Sequence, residues 1–367
     1  MINSSFDKII KIIGVSIFLL LCVGIVCADS SSIPSTTNGS SRTITDMIGD
    51  RVTIPANIDR IVDNWPAHQP TILMLGAADK LVGTTETAQS LPFLKKLFPQ
   101  IATISAPFAN DGSANIEEIV SLNPDVVMMS GGQTTKASDA LTGDGVPVVI
   151  FNTVTTLDDL KDVVSFTGDL IGDEAKDKAK QYNDYLQEKR DMISQKTLTL
   201  PDDQKLKVVH VSSIEPLKVD GTFGPNTIFT SAVDAAGGIN AAEGVKNMAP
   251  IEIEQLHEWN PDVIIVSGGS TRDIVTDVNN LTSNPLWKDL KAVKNNRVYT
   301  NPRGLYLWDR HGAEEALEIQ WLAKTLYPDM FSSLDINQTM KDFYKKFYDY
   351  DLTEEDIQSI LHPEVIK

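Results

Sequence analysis

The chain has 367 residues, enough for two α/β cores, with 42% apolar and 22% charged residues, as is ordinary for globular proteins. Its formal charge of −18 excludes a nucleic-acid partner, which calls for a basic footprint, and general attraction to anionic lipid. Both cysteines, Cys22 and Cys27, fall in an N-terminal export signal, so a chain freed of it has no disulfide, thiolate nucleophile or cysteine metal site.

That signal (residues 1–28) sets Lys8 and Lys11 before an apolar run from Ile12 to Ala28, with Val26-Cys27-Ala28 suited to cleavage after Ala28. The run is short of the ~20 residues that span a bilayer, which favours cleavage over a retained anchor. Cys27 is an alternative site for a lipid, although Val26 is bulkier than a lipobox tolerates. Residues 29–42 are rich in Ser and Thr and read as a flexible tether.

From Thr43 to Pro55, apolar and polar residues alternate around Gly49-Asp50, which predicts a hairpin. Core strands are expected at Arg60–Asp63, Lys80–Thr84, Ile101–Ile104 and Val146–Phe151, with helices at Pro70–Leu75 and Leu91–Phe98 between them. This alternation means a parallel sheet wrapped by helices, a first lobe over residues 43–170. No Gly or Pro interrupts Asp173 to Gln195, where Ala175, Ala179, Tyr182, Leu186 and Ile193 form one apolar stripe. A helix of roughly 35 Å follows from a 1.5 Å rise per residue, and residues 171–198 are read as a bridge between lobes. The second lobe (199–367) opens with Lys207–Val211, continues with a strand and Gly-rich turn over Leu217–Asn226, and leads into a helix over Thr227–Ala236. It ends with the strand Arg297–Thr300, the helix Ala313–Leu326 and two aromatic-rich helices near Met340–Tyr350 and Glu354–Leu361.

Two stretches repeat one pattern, Ile116 to Gly132 and Ile253 to Gly269, aligned without a gap at an offset of 137 residues. In each, a short helix stops at Asn-Pro, because proline disfavours helical geometry in the residue before it. An uninterrupted apolar strand follows, as in a sheet buried on both faces, and Ser-Gly-Gly turns the chain. Ligands of open α/β sheets sit at the carboxyl ends of such strands, and two matching edges suggest one cleft between two lobes.

The hairpin, Arg60-Ile-Val, Leu75-Gly-Ala-Ala-Asp-Lys-Leu-Val-Gly83, both Asn-Pro-Asp units and Ala235-Ala-Gly-Gly-Ile-Asn240 together resemble the substrate-binding proteins of ABC importers for ferric siderophores, haem and cobalamin. The resemblance covers roughly Thr43 to Phe331 and implies two Rossmann-like α/β lobes with mainly parallel sheets, bridged by one long helix, with a ligand cleft between them. It implies no intrinsic cofactor, a metal chelate as cargo, a permease with its ATPase as partner, a monomeric state and a place outside the cytoplasm.

In such a cleft the ligand meets loops after the strands. Trp65 and His68 follow the first strand, and Phe108 precedes the first repeat helix. Ser130, Gly131 and Ser267 end the repeat strands, where their backbone N–H groups either meet a ligand oxygen or simply form tight turns. Phe223 stands in a Gly-rich turn of the second lobe. Arg303, Tyr306, Trp308 and Arg310 form the richest loop, since guanidinium groups fork onto oxygens and stack on rings. His68 and His311 have no acidic cluster at ligand spacing, so a dedicated metal cage is not expected. The leading expectation is an iron chelate or corrinoid. The alternative on the same fold is molybdate or tungstate, because the Trp65-to-His68 and Trp308-to-His311 loops resemble those of oxyanion-binding relatives. An enzyme is the remaining class, but no nucleophile elbow, His-Glu-x-x-His or phosphate loop is present.

Overall fold

The protein is described here by a computed structural model that covers residues 40–131, 135–224, 227–267 and 274–363. The export signal, most of the tether, Gly132, Gly268 and Gly269 lie outside the described residues.

The hairpin is β1 (Ser41–Thr45) and β2 (Arg51–Pro55), antiparallel with Thr45 opposite Arg51. Ser41 and Arg42, assigned to the tether from composition, belong to this first strand. The first lobe continues through β3 (Ile61–Asp63), α1 (Gln69–Met74), β4 (Leu81–Thr85), α2 (Glu86–Ser90), α3 (Pro92–Leu97), β5 (Ser105–Phe108), α4 (Ile116–Ser121), β6 (Val126–Ser130), α5 (Thr135–Gly143) and β7 (Val148–Phe151). Its sheet runs β5-β4-β3-β6-β7, and every pairing is parallel. One strand differs from expectation: Pro99–Ala102 is a 3-10 turn, and the strand is Ser105–Phe108. Pro107 obscured it, yet β5 is the sheet edge, where a missing N–H is tolerated.

Two helices follow, α6 (Leu157–Ile171) and α7 (Asp173–Thr197). The periodicity revealed α7 but not α6, its antiparallel partner. Arg190 pairs with Asp158, Gln187 accepts from Lys161, and Asn183 donates to Ser165. The chain reverses at Gly172, whose φ of +132° suits glycine. Gly168 lets the two helices approach closely, because a Cβ there would lie 2.8 Å from Ala179 Cβ and 2.9 Å from the Ala175 carbonyl. Gly168→Val is therefore expected to lower stability by about 1–3 kcal/mol through overpacking, read as a lower urea midpoint.

The second lobe comprises β8 (Lys207–Ile214), β9 (Leu217–Val219), α8 (Ile228–Ala235), β10 (Ile239–Asn240), β11 (Ala249–Pro250), α9 (Ile253–Trp259), β12 (Val263–Val266), α10 (Ile274–Ser283), α11 (Lys291–Lys294), β13 (Val298–Thr300) and α12 (Glu315–Leu326). Its sheet runs β11-β9-β8-β12-β13, with β10 beside β8. Strands β8, β10, β12 and β13 pair in parallel, while β9 and β11 are antiparallel additions at one side.

The repeated motif has a structural reason. In each copy its strand is flanked by the lobe's first core strand and by a later parallel strand: β6 lies between β3 and β7, and β12 between β8 and β13. Asn123 and Asn260, before the prolines, both adopt positive φ, +46° and +41°. The following aspartate then reaches sideways. Asp125 accepts the backbone N–H groups of Asp59 and Arg60 at 2.7 and 2.9 Å, and Asp262 accepts that of Lys207 at 2.8 Å. Each thereby pins the entry of the neighbouring strand.

The chain closes with α13 (Ile336–Tyr348) and α14 (Glu354–Leu361). They are not simply appended to the second lobe. Tyr348 and Lys96–Asp356 tie them to the first lobe, and Phe343 and Phe347 pack on Tyr185 of α7.

Candidate ligand-binding cleft

The first wall grows from the end of β3. Asp63 is fully buried; one carboxylate oxygen accepts the Trp65 N–H at 3.1 Å and the other lies 3.3 Å from His68 Nδ1. Burial raises the Asp63 pKa, against the opposing pull of His68. His68 Nε2 lies 2.8 Å from Thr167 Oγ1 on α6. Both ring nitrogens are thus engaged and the side chain is buried, so His68 does not face the cleft as the sequence suggested. It supports Trp65, which stacks on it with centroids 5.7 Å apart.

The repeat-strand ends also differ from expectation. Ser130 N–H donates to Asn64 Oδ1, Gly131 N–H to the Phe151 carbonyl and Ser267 N–H to the Val211 carbonyl. These three amides fix the strand ends and are not available to a ligand oxygen. Phe108 lines a cavity of ≈ 100 Å³ with Asn64, Thr85, Thr87 and Asn110, at the carboxyl ends of the first sheet. Asn115 caps α4 through the Glu118 N–H. Phe223 is 52% exposed, an uncovered aromatic of the second lobe.

The second wall is the loop from Asn301 to Gly312. It is held from below by Glu314, which accepts the N–H groups of Leu305 and Tyr306, the indole N–H of Trp308 and the hydroxyl of Tyr344. Burial raises the Glu314 pKa, and these donors oppose it. Gly304 is needed here, because any Cβ would overlap Glu314 and Tyr344. Trp308 is completely buried with its nitrogen bonded, so it belongs to this support and not to an exposed aromatic face. Arg303 is also buried, its N–H donating to the Ile360 carbonyl. Tyr306 is half-buried, and burial pushes its phenol up to about 12.

Arg310 and Asp309 join a buried ionic chain. His210, in the middle of β8, lies 2.7 Å from Asp220 Oδ2 through Nδ1 and 2.8 Å from Asp309 Oδ2 through Nε2. Arg310 Nη1 donates to Asp220 Oδ2 at 2.8 Å, and Ser267 Oγ donates to Asp309 at 2.8 Å. Burial alone would raise both carboxyl pKa values, but Arg310 and His210 hold them below the usual range. Burial would likewise lower those of His210 and Arg310, yet the carboxylates raise both. With carboxylates close to both ring nitrogens, the protonated imidazole of His210 is favoured, although Nε2 is poorly aligned for a hydrogen bond to Asp309. Among the described residues, only Nη1 of the Arg310 guanidinium is engaged, leaving Nη2 and Nε. His311 adopts a φ of +52° and keeps Nε2 buried, without a partner among the described residues. Burial and then Arg310 lower its pKa to about 3, so it is neutral.

The two walls meet. Trp65 of the first lobe and His311 of the second have ring centroids 6.0 Å apart, tilted by 51°. Facing loops at the carboxyl ends of two α/β sheets form the arrangement in which open sheets hold ligands. Among the described residues no cluster of His, Asp and Glu has the geometry of a metal cage.

Sequence comparison agrees with this geometry: the profile of the family described as periplasmic binding protein matches residues 67–304, more than half of the chain. The chain belongs to the periplasmic binding protein family. A similar sequence is the molybdate-binding protein MolA of Haemophilus influenzae, 26% identical over 84% of this chain and 91% of MolA. Another is the iron(3+)-hydroxamate-binding protein YxeB of Bacillus subtilis, 24% identical over 80% of this chain and 89% of that one. A periplasmic solute binding protein from Veillonella parvula has a similar structure, with TM-score 0.75 and 27% identity, covering 88% of this chain and 97% of that one. MolA bound to molybdate, a component of an ABC transporter, has the same fold, with TM-score 0.74 and 24% identity over 85% and 99% of the two chains. The protein is a substrate-binding protein of the ABC transporter family, whose members carry transported cargo.

His210, Asp220, Glu314 and Tyr344 escaped the sequence reading. A signal was available for His210 and Asp220. Each ends or interrupts an apolar strand, and an ionisable group there needs a buried partner.

Proposed function

We propose that the cargo is a small oxyanion of the molybdate or tungstate kind, held between the Trp65 loop and the loop of Tyr306, Arg310 and His311. The observation that carries this reading is the Trp65–His311 contact at 6.0 Å, which leaves little width between the walls at that point. Beside His311 in the chain, Arg310 keeps Nη2 and Nε without a partner among the described residues, and His311 Nε2 is likewise unpartnered among them. A small anion needs donors and little area. The similarity to MolA supports the same reading. The overall charge of −18 does not oppose it, because screening over about 8 Å leaves donors within hydrogen-bond reach in control.

A second reading keeps a ferric chelate or corrinoid as cargo. Exposed Phe223 and the similarity to YxeB favour it. In either case the protein acts outside the cytoplasm as a monomer that passes cargo to a permease and its ATPase, and it performs no chemistry of its own. Titration with molybdate and with a ferric hydroxamate, followed by tryptophan fluorescence, separates the two readings. A saturable change with molybdate alone, lost in Trp65→Phe, is the expected outcome. Saturation with the hydroxamate and none with molybdate overturns the oxyanion reading.

A further inference from the structure

The last two helices lie outside the matched family segment, which ends at residue 304, yet they touch both lobes and α7. On the first lobe, Tyr348 OH donates to the Pro70 carbonyl at 3.2 Å, at the start of α1. Lys96, on α3, pairs with Asp356 at 2.6 Å. Phe93, also on α3, sits edge-on to Tyr344 and Tyr350 with centroids 5.5 and 6.0 Å away. On α7, Tyr182 and Tyr185 pack against Phe347. On the second lobe, Tyr344 OH donates to Glu314, and Arg303 N–H donates to the Ile360 carbonyl at 2.9 Å. One helix pair therefore grips α1 and α3 of one lobe and the binding loop of the other.

The grip on the loop is specific. Glu314 is the group that receives Leu305, Tyr306 and Trp308, so whatever moves Tyr344 moves the acceptor on which the loop is built. The same tyrosine ring touches Phe93. Rigid helices and aromatic contacts of this kind shift as units and do not deform continuously.

We propose that the α13–α14 pair is a latch: it couples the angle between the lobes to the position of the Tyr306–Arg310 loop, with Tyr344 as the positioning residue. This rests on the reading that cargo lies between the lobes, but its first test needs no cargo. When the lobes separate, the Lys96–Asp356 and Tyr348–Pro70 contacts must break or drag the helix pair, and with it Glu314. The latch thus holds the apo protein near the closed geometry and slows release of what is bound.

With Cys22 and Cys27, the chain's two cysteines, replaced by serine, spin labels at Glu117→Cys and Glu258→Cys, both exposed, report the distance between lobes. Lys96→Met with Tyr348→Phe frees the latch from the first lobe. Asp356 keeps the Thr353 N–H and hydroxyl and the Tyr350 hydroxyl as donors, so the helix pair stays folded. The expected result is a broader distance distribution in the absence of ligand and release of molybdate faster by about 3- to 10-fold, since related variants differ chiefly in off-rate. Tyr344→Phe is expected to weaken molybdate binding without broadening the distribution. An unchanged distribution in the double variant overturns the latch. A broadened distribution in a protein that binds no molybdate overturns the cargo reading and leaves the latch standing.

Discussion

His210→Asn is expected to destabilise the folded protein by about 3–5 kcal/mol, the usual cost of leaving a buried charge without its partner. The imidazole is completely buried between Asp220 and Asp309, at 2.7 and 2.8 Å. With His210 protonated, two carboxylates face two cations, His210 and Arg310, and the chain is neutral. Asparagine removes one cation. Arg310 then remains as the close partner of Asp220, while its nearest guanidinium nitrogen is 3.9 Å from Asp309. The loss is read from the urea midpoint, and a change below about 1 kcal/mol would mean that the network behaves like a solvent-exposed pair.

The same network sets how stability follows pH. The His210 pKa is raised on folding, so its contribution is complete below its unfolded value of about 6.5 and fades as pH rises through the folded one. Asp220 and Asp309 are depressed, so theirs is complete above about 3.9 and fades as pH falls through the folded values. Glu315 and Glu318, raised well above the usual range by burial, also favour the folded state less as pH climbs. Stability is therefore expected to be greatest in mildly acid solution and to decline toward pH 9, more steeply in the native protein than in the His210→Asn variant.

The contrast between this network and the sheets explains what the sequence disclosed. Apolar runs such as Val126–Met129 and Val263–Val266 register burial in every residue, so the parallel strands and their repeated Asn-Pro-Asp entries were legible. Helix α7 was legible because its buried stripe recurs at helical spacing, whereas α6 ends where Gly168 and Gly172 look like loop residues. Side-chain direction carries no such periodic signal. His68 and Trp308 read as ligand-facing because their neighbours are polar and aromatic. Their orientation is decided by Asp63, Thr167 and Glu314, the last two distant in sequence or beyond the loop. A contact such as His210–Asp309, 99 positions apart, depends on the pairing of β8 with β12 and on the return of the loop after β13.

The largest effect on binding is expected from Arg310→Lys, and the choice between the two arginines rests on geometry. Arg303 is buried and its pKa is lowered by burial, so Arg303→Ala strikes the folded core. Trp65→Ala likewise removes packing on His68 and Phe151. Arg310 is different. Nη1 holds Asp220, and among the described residues Nη2 and Nε have no partner, so half of the fork remains for an anion. Lysine keeps a positive charge near Asp220 but cannot hold a carboxylate and an oxyanion at once in fixed directions. Charge-assisted hydrogen bonds contribute about 1.5–3 kcal/mol each, and a tenfold change in affinity corresponds to about 1.4 kcal/mol. Loss of two such bonds therefore weakens molybdate binding by about 100-fold or more, with the urea midpoint nearly preserved. Isothermal titration of both proteins gives the comparison. Equal affinities would place the anion away from this loop, and a matching fall in the midpoint would make Arg310 a part of the scaffold alone.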